Sequence, residues 1–184
     1  MKKPLKITLI SLGAFLAVLL AGVLVFTGVY FTRFQTAGSI EKLTSYDDGY
    51  NLYRMDVKYN YSLDDVINYD ITDNQTMIDA VLNEALPMLP VSIKVPDFGC
   101  TAFTLTDTDG DVHMGRNYDF KNDSSAMLVY CTPKDGYKSV ACAALDNISA
   151  NVPDESMQKR LATLTAPFIC LDGINEKGGS LAVL

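Results

Sequence analysis

Cys100-Thr-Ala-Phe-Thr-Leu-Thr106, then Asp107-Thr-Asp-Gly-Asp111, then Val112-His-Met-Gly-Arg-Asn-Tyr-Asp-Phe120 is the stretch on which the fold turns. Thr101 to Thr106 and Val112 to Gly115 are short runs of β-formers, and the acidic, glycine-containing segment between them is hairpin chemistry. Two more β runs follow, Ala126–Cys131 and Lys138–Ala144, joined around Pro133-Lys-Asp-Gly136. Asp107–Asp111 suggests calcium at first glance. Its glycine is misplaced for such a loop, however, and the twelfth position is Tyr118 rather than Glu, so it reads as a turn.

Upstream of the hairpin, Tyr50–Tyr61 alternates loosely and suits a strand. Asn74–Leu86 reads as a helix, with Asp73 or Asn74 as its cap and Met77, Ile78, Val81, Leu82 and Leu86 at helical spacing. Pro87 and Pro90 end it, Val91–Val95 is a short strand, and Pro96-Asp97-Phe98-Gly99 breaks it just before Cys100. Downstream, Pro153–Leu164 can form a helix, Ile174–Gly179 is a turn, and Ser180–Leu184 begins another apolar strand. The chain stops on Leu-Ala-Val-Leu, inside an apparent core element, which reads as a piece of a longer frame.

The chain opens differently. Ile7–Thr32 carries no charge and is long enough to cross a hydrocarbon core as a helix. A cleaved signal peptide would have a shorter apolar run ending in small residues, whereas here Val25, Phe26, Val29, Tyr30 and Phe31 prolong it. Lys2, Lys3 and Lys6 before the span and Arg33 after it place the N-terminus inside and the rest outside. The expectation is a single-pass signal anchor in the cell membrane over 1–33, with the following domain extracytoplasmic. Phe34–Ser39 reads as a short linker opening a 34–99 segment, and a further domain starts at Cys100.

Charge excludes one class of partner. Four of the fifteen basic residues flank the apolar span, so eleven remain against twenty-two acidic ones, and the chain from Phe34 onward carries a formal −11. Nucleic-acid binding needs clustered Lys and Arg, and none is present. The four cysteines (Cys100, Cys131, Cys142, Cys170) contain no CxxC pair and accompany one histidine, so neither a zinc site nor any other metal or cofactor is expected. One disulfide among Cys131, Cys142 and Cys170 is compatible with an extracytoplasmic domain. Four N-x-S/T triplets, at Asn60, Asn74, Asn122 and Asn147, matter only in a glycosylating host. Homo-oligomerisation is compatible with the sequence.

A catalytic cysteine needs a base. A Cys100–His113 dyad across the hairpin is one route, but a lone histidine on a strand is more often a solvent-facing side chain. The alternative is cleavage of the Gly99–Cys100 bond, which frees an α-amine of pKa roughly 7.7–8.0 to act as base for the thiol of the same residue. At this point the residues resemble a family. Phe98-Gly-Cys-Thr-Ala-Phe-Thr104, Asp109-Gly-Asp-Val-His-Met-Gly-Arg-Asn-Tyr-Asp-Phe120 and Leu171-Asp-Gly-Ile-Asn-Glu-Lys-Gly178 are similar to the choloylglycine hydrolase and penicillin V acylase family of N-terminal-nucleophile hydrolases. The resemblance runs from Phe98 to Leu184.

That resemblance implies an α+β fold, a transmembrane helix followed by part of a four-layer αββα sandwich. It implies a hydrolase of linear amide C–N bonds acting on small N-acyl compounds. Cys100 would be the nucleophile released by autoproteolysis after Gly99. Arg116 would sit beside the thiolate, and Asp119 would hold the new α-amine. The oxyanion asparagine would fall just past Leu184, so poor or absent turnover is expected of residues 1–184 alone. Asn175 reads as turn-forming. Two other readings compete: an acid-ceramidase-like lipid amide hydrolase, and a truncated, non-catalytic membrane-tethered module.

Overall fold

The computed structural model describes residues 3–89, 93, 100–118 and 124–183. Helix α1 (Lys3–Gly38) is followed by strands β1 (Glu41–Ser45) and β2 (Asn51–Asp56) and helices α2 (Leu63–Asn68) and α3 (Asn74–Ala85). Then come β3 (Cys100–Thr106), β4 (Val112–Tyr118), β5 (Ala126–Cys131), β6 (Ser139–Ala144), α4 (Met157–Ala162), β7 (Asp172–Asn175) and β8 (Ser180–Ala182). Single 3₁₀ helices cover Leu145–Ile148 and Thr163–Phe168. The result is a mixed α+β architecture with one long apolar helix at its N-terminal end.

The strands form a six-stranded sheet in the order β1-β2-β5-β6-β7-β8 and a separate two-stranded hairpin, β3-β4. Every pairing is antiparallel except β2 with β5, which run parallel with Tyr53 opposite Met127 and Met55 opposite Val129. Strand alternation then decides the two faces. Tyr53, Met55, Met127, Val129 and Ala143 are fully buried and share one face. They pack with Tyr30 of α1, Ile78, Val81 and Ala85 of α3, and Leu164 and Ala166 of the second 3₁₀ helix. Leu128, Val140, Cys142, Asp172 and Ile174 alternate onto the other face, which no helix covers among the described residues.

The helix expected over Asn74–Leu86 is α3, within a residue. Asp73 caps it: its carboxylate accepts from Thr76 N at 2.8 Å while the Thr76 hydroxyl accepts from Asp73 N at 3.0 Å, a reciprocal box. Pro153–Leu164 resolves into the shorter α4 and a 3₁₀ segment that contains Pro167, whose missing N–H suits the tighter, interrupted geometry. The Val91–Val95 strand lies almost wholly outside the described residues.

Phe34–Gly38, expected as a linker, are instead the last turn of α1. Small and polar residues there looked like linker chemistry, but they serve close packing. Thr36 and Ala37 are buried, and the Thr36 hydroxyl accepts from Lys58 N at 2.8 Å. The carbonyls at the helix end are satisfied by Arg160, which donates to Ala37 O at 2.8 Å and Ile40 O at 3.1 Å. One helix therefore runs about 54 Å at 1.5 Å per residue from its apolar beginning into the core. It is long and apolar enough to cross a membrane.

Arg33 is the rivet between α1 and α3. Its guanidinium donates to Ala85 O at 2.7 Å and Glu84 O at 2.5 Å, filling carbonyls at the α3 C-terminus, and to Val29 O of its own helix at 2.8 Å, and it lies over the Tyr59 ring at 5.0 Å. Replacing it by methionine strands those carbonyls. Arg33→Met is expected to lower unfolding free energy by about 2 kcal/mol, read by urea titration of the chain in detergent micelles. Arg33→Lys should recover only part of the loss, because one ammonium cannot reach three divergent acceptors.

Candidate active site

The site begins with strand register. In the hairpin Cys100 lies opposite Tyr118, Ala102 opposite Arg116 and Leu105 opposite His113. Cys100 and Ala102 share a face, and Arg116 is the diagonal neighbour of Cys100, within reach of a long side chain. Arg116 Nη2 accordingly donates to Cys100 Sγ at 2.8 Å. Gly115 permits the opposite face to close: a Cβ there would lie 2.3 Å from the Phe103 ring, so only glycine lets that aromatic lie flat across the strand pair.

The guanidinium is anchored from the large sheet as well. Arg116, 7% exposed, places Nη1 3.7 Å from Asp172 Oδ2, and Asp172 Oδ1 accepts from Cys142 N at 3.2 Å. Asp172 was quoted at sequence level only as part of a motif. Its role is visible only once β7 pairs with β6 and brings it under the hairpin. An open cleft of about 370 Å³ continues from Asp172 between hairpin and sheet, lined by Val112, Met114, Leu128, Val140 and Ile174 among others. Such a lining suits an apolar group attached to whatever meets the sulfur.

The other sequence candidates fall as follows. Gly99 and Asp119 lie outside the described residues. His113 is five register positions from Cys100, roughly 17 Å at about 3.4 Å per residue, and is exposed. Its Nε2 is 2.8 Å from Asp107 Oδ2. That contact, with the backbone N–H of Asp111, holds the Asp107 carboxyl below its usual range. So His113 belongs to the hairpin turn and is no base for Cys100. The same turn is built by Asp107 Oδ1, which accepts from Asp109 N and Asp111 N, with Gly110 at φ +90°. Asn175 likewise shapes the β7–β8 turn, its side-chain oxygen accepting from Lys177 N and Gly179 N.

The four cysteines are free thiols in contrasting settings. Burial, and then the Asp172 carboxylate, push Cys142 up to about 11. Burial also raises Cys131 and Cys170, whose neighbouring thiols add to the effect at Cys170. Cys100 is the half-buried thiol against which an arginine N–H is directed, a contact that becomes charge-assisted when the sulfur is anionic. The arrangement can hold a sulfur nucleophile beside a fixed cation, and Asp172, which meets that cation, also lines the apolar cleft.

No family model matches the chain, and no curated protein or solved structure matches it either.

Iodoacetamide at pH 8 should alkylate Cys100 ahead of Cys131, Cys142 and Cys170, whose raised pKa values slow their labelling in the folded chain; peptide mass mapping reads the order. Arg116→Gln is expected to slow Cys100 labelling roughly tenfold, since a hydrogen bond to a charged group is worth about 1.5 kcal/mol. Asp172→Asn should speed Cys142 labelling, because the carboxylate that helps to keep that thiol protonated is gone.

Proposed function

We propose that the chain is a membrane-anchored hydrolase of linear amide C–N bonds, made as a precursor whose nucleophile, Cys100, is unmasked by cleavage after Gly99. The observation that carries the reading is the Arg116–Cys100 contact at 2.8 Å. It joins the two residues that the resemblance to choloylglycine hydrolases pairs. On this reading the helix-backed sheet and the hairpin facing its open side are three layers of an αββα sandwich. Helix α1 crosses the cell membrane once, and the domain lies on the extracytoplasmic side.

The chemistry follows from an N-terminal thiol. Once the Gly99–Cys100 bond is cut, the α-amine of Cys100 takes the thiol proton, and Asp119 holds that amine in place. The thiolate attacks the carbonyl carbon of an N-acyl substrate, and Arg116 orients the sulfur and the carbonyl. The tetrahedral intermediate collapses as the α-ammonium returns its proton to the departing nitrogen, leaving a thioester on Cys100 and a free amine product. Water, deprotonated by the same α-amine, then attacks the thioester, releasing a carboxylic acid and restoring the thiol. The acyl part lies in the cleft beside Asp172. The apolar lining of that cleft also suits the neighbouring reading, a lipid amide of the kind acid ceramidases split. Competition between short and long N-acyl chains separates the two.

Cleavage has a structural consequence. Strand β2 precedes Cys100 and is hydrogen-bonded along its length to β5, with β1 on its outer side. The 1–99 piece should therefore stay bound after the cut and part only in denaturant. Intact-mass analysis is expected to find a chain beginning at Cys100 together with the 1–99 piece, both eluting as one native species. Cys100→Ala should remain full length. A wild-type protein that stays uncleaved would turn the assignment toward a non-catalytic tethered module.

A further inference from the structure

The end of α1 is fixed at a definite height relative to the rest of the fold. About 20 residues at 1.5 Å rise fill a hydrocarbon core of about 30 Å. Counted from Ile7, immediately after the last lysine of the N-terminal group, that places Phe26 at the far hydrocarbon border and Tyr30 about 6 Å above it. The two rings stack at 4.5 Å, and the Tyr30 hydroxyl donates to Pro87 O. Arg33 holds the two residues that precede Leu86 by their carbonyls. The connector after α3 thus stands at the height of the Phe26–Tyr30 pair, beside the helix rather than above it.

Met88 forms the tip of the described part of that connector, residues 86–89. It is 64% exposed and adopts φ +67°, a left-handed conformation that a non-glycine residue takes up only at a cost of roughly 1 kcal/mol or more. Leu86 and Leu89 on either side turn into the core. Helix α2 is tied to the last turn of α3: Ile67 is 78% exposed, and the next residue but one, Tyr69, donates to Glu84 Oε1 at 3.0 Å. Asp64 and Asp65 on α2 limit how deep this edge can go.

Resting on the reading that α1 spans the bilayer, we infer that the Pro87–Met88 tip, together with the exposed Ile67 of α2, is a lipid-contact surface that seats the domain in the interface of that same membrane. The occupant is the headgroup–acyl boundary of the leaflet into which α1 emerges. The contact is continuous with the helix, because Tyr30 and Arg33 leave the tip no vertical freedom. It is apolar in character: the domain's formal −11 would be repelled by anionic lipid. The domain is therefore held in one orientation against the membrane instead of swinging on a tether.

The chain contains no tryptophan, so a single introduced indole reports depth. Met88→Trp, Ile67→Trp, Leu16→Trp in the apolar span and Tyr137→Trp on the exposed β5–β6 turn are each reconstituted as full chains in phosphatidylcholine vesicles carrying brominated lipids. Near-ultraviolet circular dichroism in detergent confirms that each is folded. Leu16→Trp should be quenched by deep bromines. Met88→Trp should be quenched by shallow ones, on the order of twofold more than Tyr137→Trp, and insensitively to salt, with Ile67→Trp behaving likewise. If Leu16→Trp is quenched while both Met88→Trp and Ile67→Trp match Tyr137→Trp, the helix spans and the seating is wrong. If none is quenched, the spanning reading fails and takes the seating with it. Equal quenching of all four indicates adventitious lipid contact and overturns the inference.

Discussion

The parallel pairing of β2 with β5 is the constraint from which the remaining structure follows. Parallel strands need a crossover between them, and here the crossover contains α2, α3 and the whole β3–β4 hairpin. The pairing buries Tyr53 and Met55 against Met127 and Val129, and that apolar face is what α1, α3 and the second 3₁₀ helix cover. With the helices confined to one face, the hairpin meets the other. A segment that precedes the candidate nucleophile is in this way part of the scaffold that holds it.

The same arrangement makes the long helix a structural member. A polar contact is worth little where both partners remain wet, but Arg33 meets the Glu84 and Ala85 carbonyls at the end of α3 in a partly buried setting where they would otherwise lack a helical partner. Arg160 does the equivalent for the end of α1, and Ser39 joins that end to Asp56 at the end of β2 through both N–H and C=O. Three independent ties along the last turns of α1 leave no flexible joint between the apolar helix and the sheet.

At the candidate site, one arginine meets groups from two sheets. Cys100 belongs to the hairpin, Asp172 to the large sheet, and Arg116 reaches both. The guanidinium fork suits this, since it presents several N–H groups in fixed directions. Cys142 lies on the same open face but is half-buried beside a carboxylate, and partial burial with that carboxylate disfavours its anion. The difference between the two thiols is therefore one of surroundings, since the residue type is the same.

Local chemistry was legible in the residues themselves. The hairpin around Asp107–Asp111, the cap at Asp73, the turn role of Asn175 and the apolar helix each depend on groups a few positions apart, and short-range geometry is set by residue type. The α+β class followed from the same local patterns. What spans long separations was not legible. The helical end of α1 at 34–38 is stabilised by Lys58 and Arg160, and no window around Thr36 contains either. The pairing of β2 with β5, the burial of Arg33 against Glu84 and Ala85, and the meeting of Asp172 with Arg116 bring together residues 50 or more positions apart. Sequence alone determined that Cys100 begins a strand, with Arg116 across a tight turn from it. The hairpin register by itself sets His113 five positions from Cys100; only the tertiary structure decided that Arg116 is gripped by Asp172, because that distance depends on how two sheets pack.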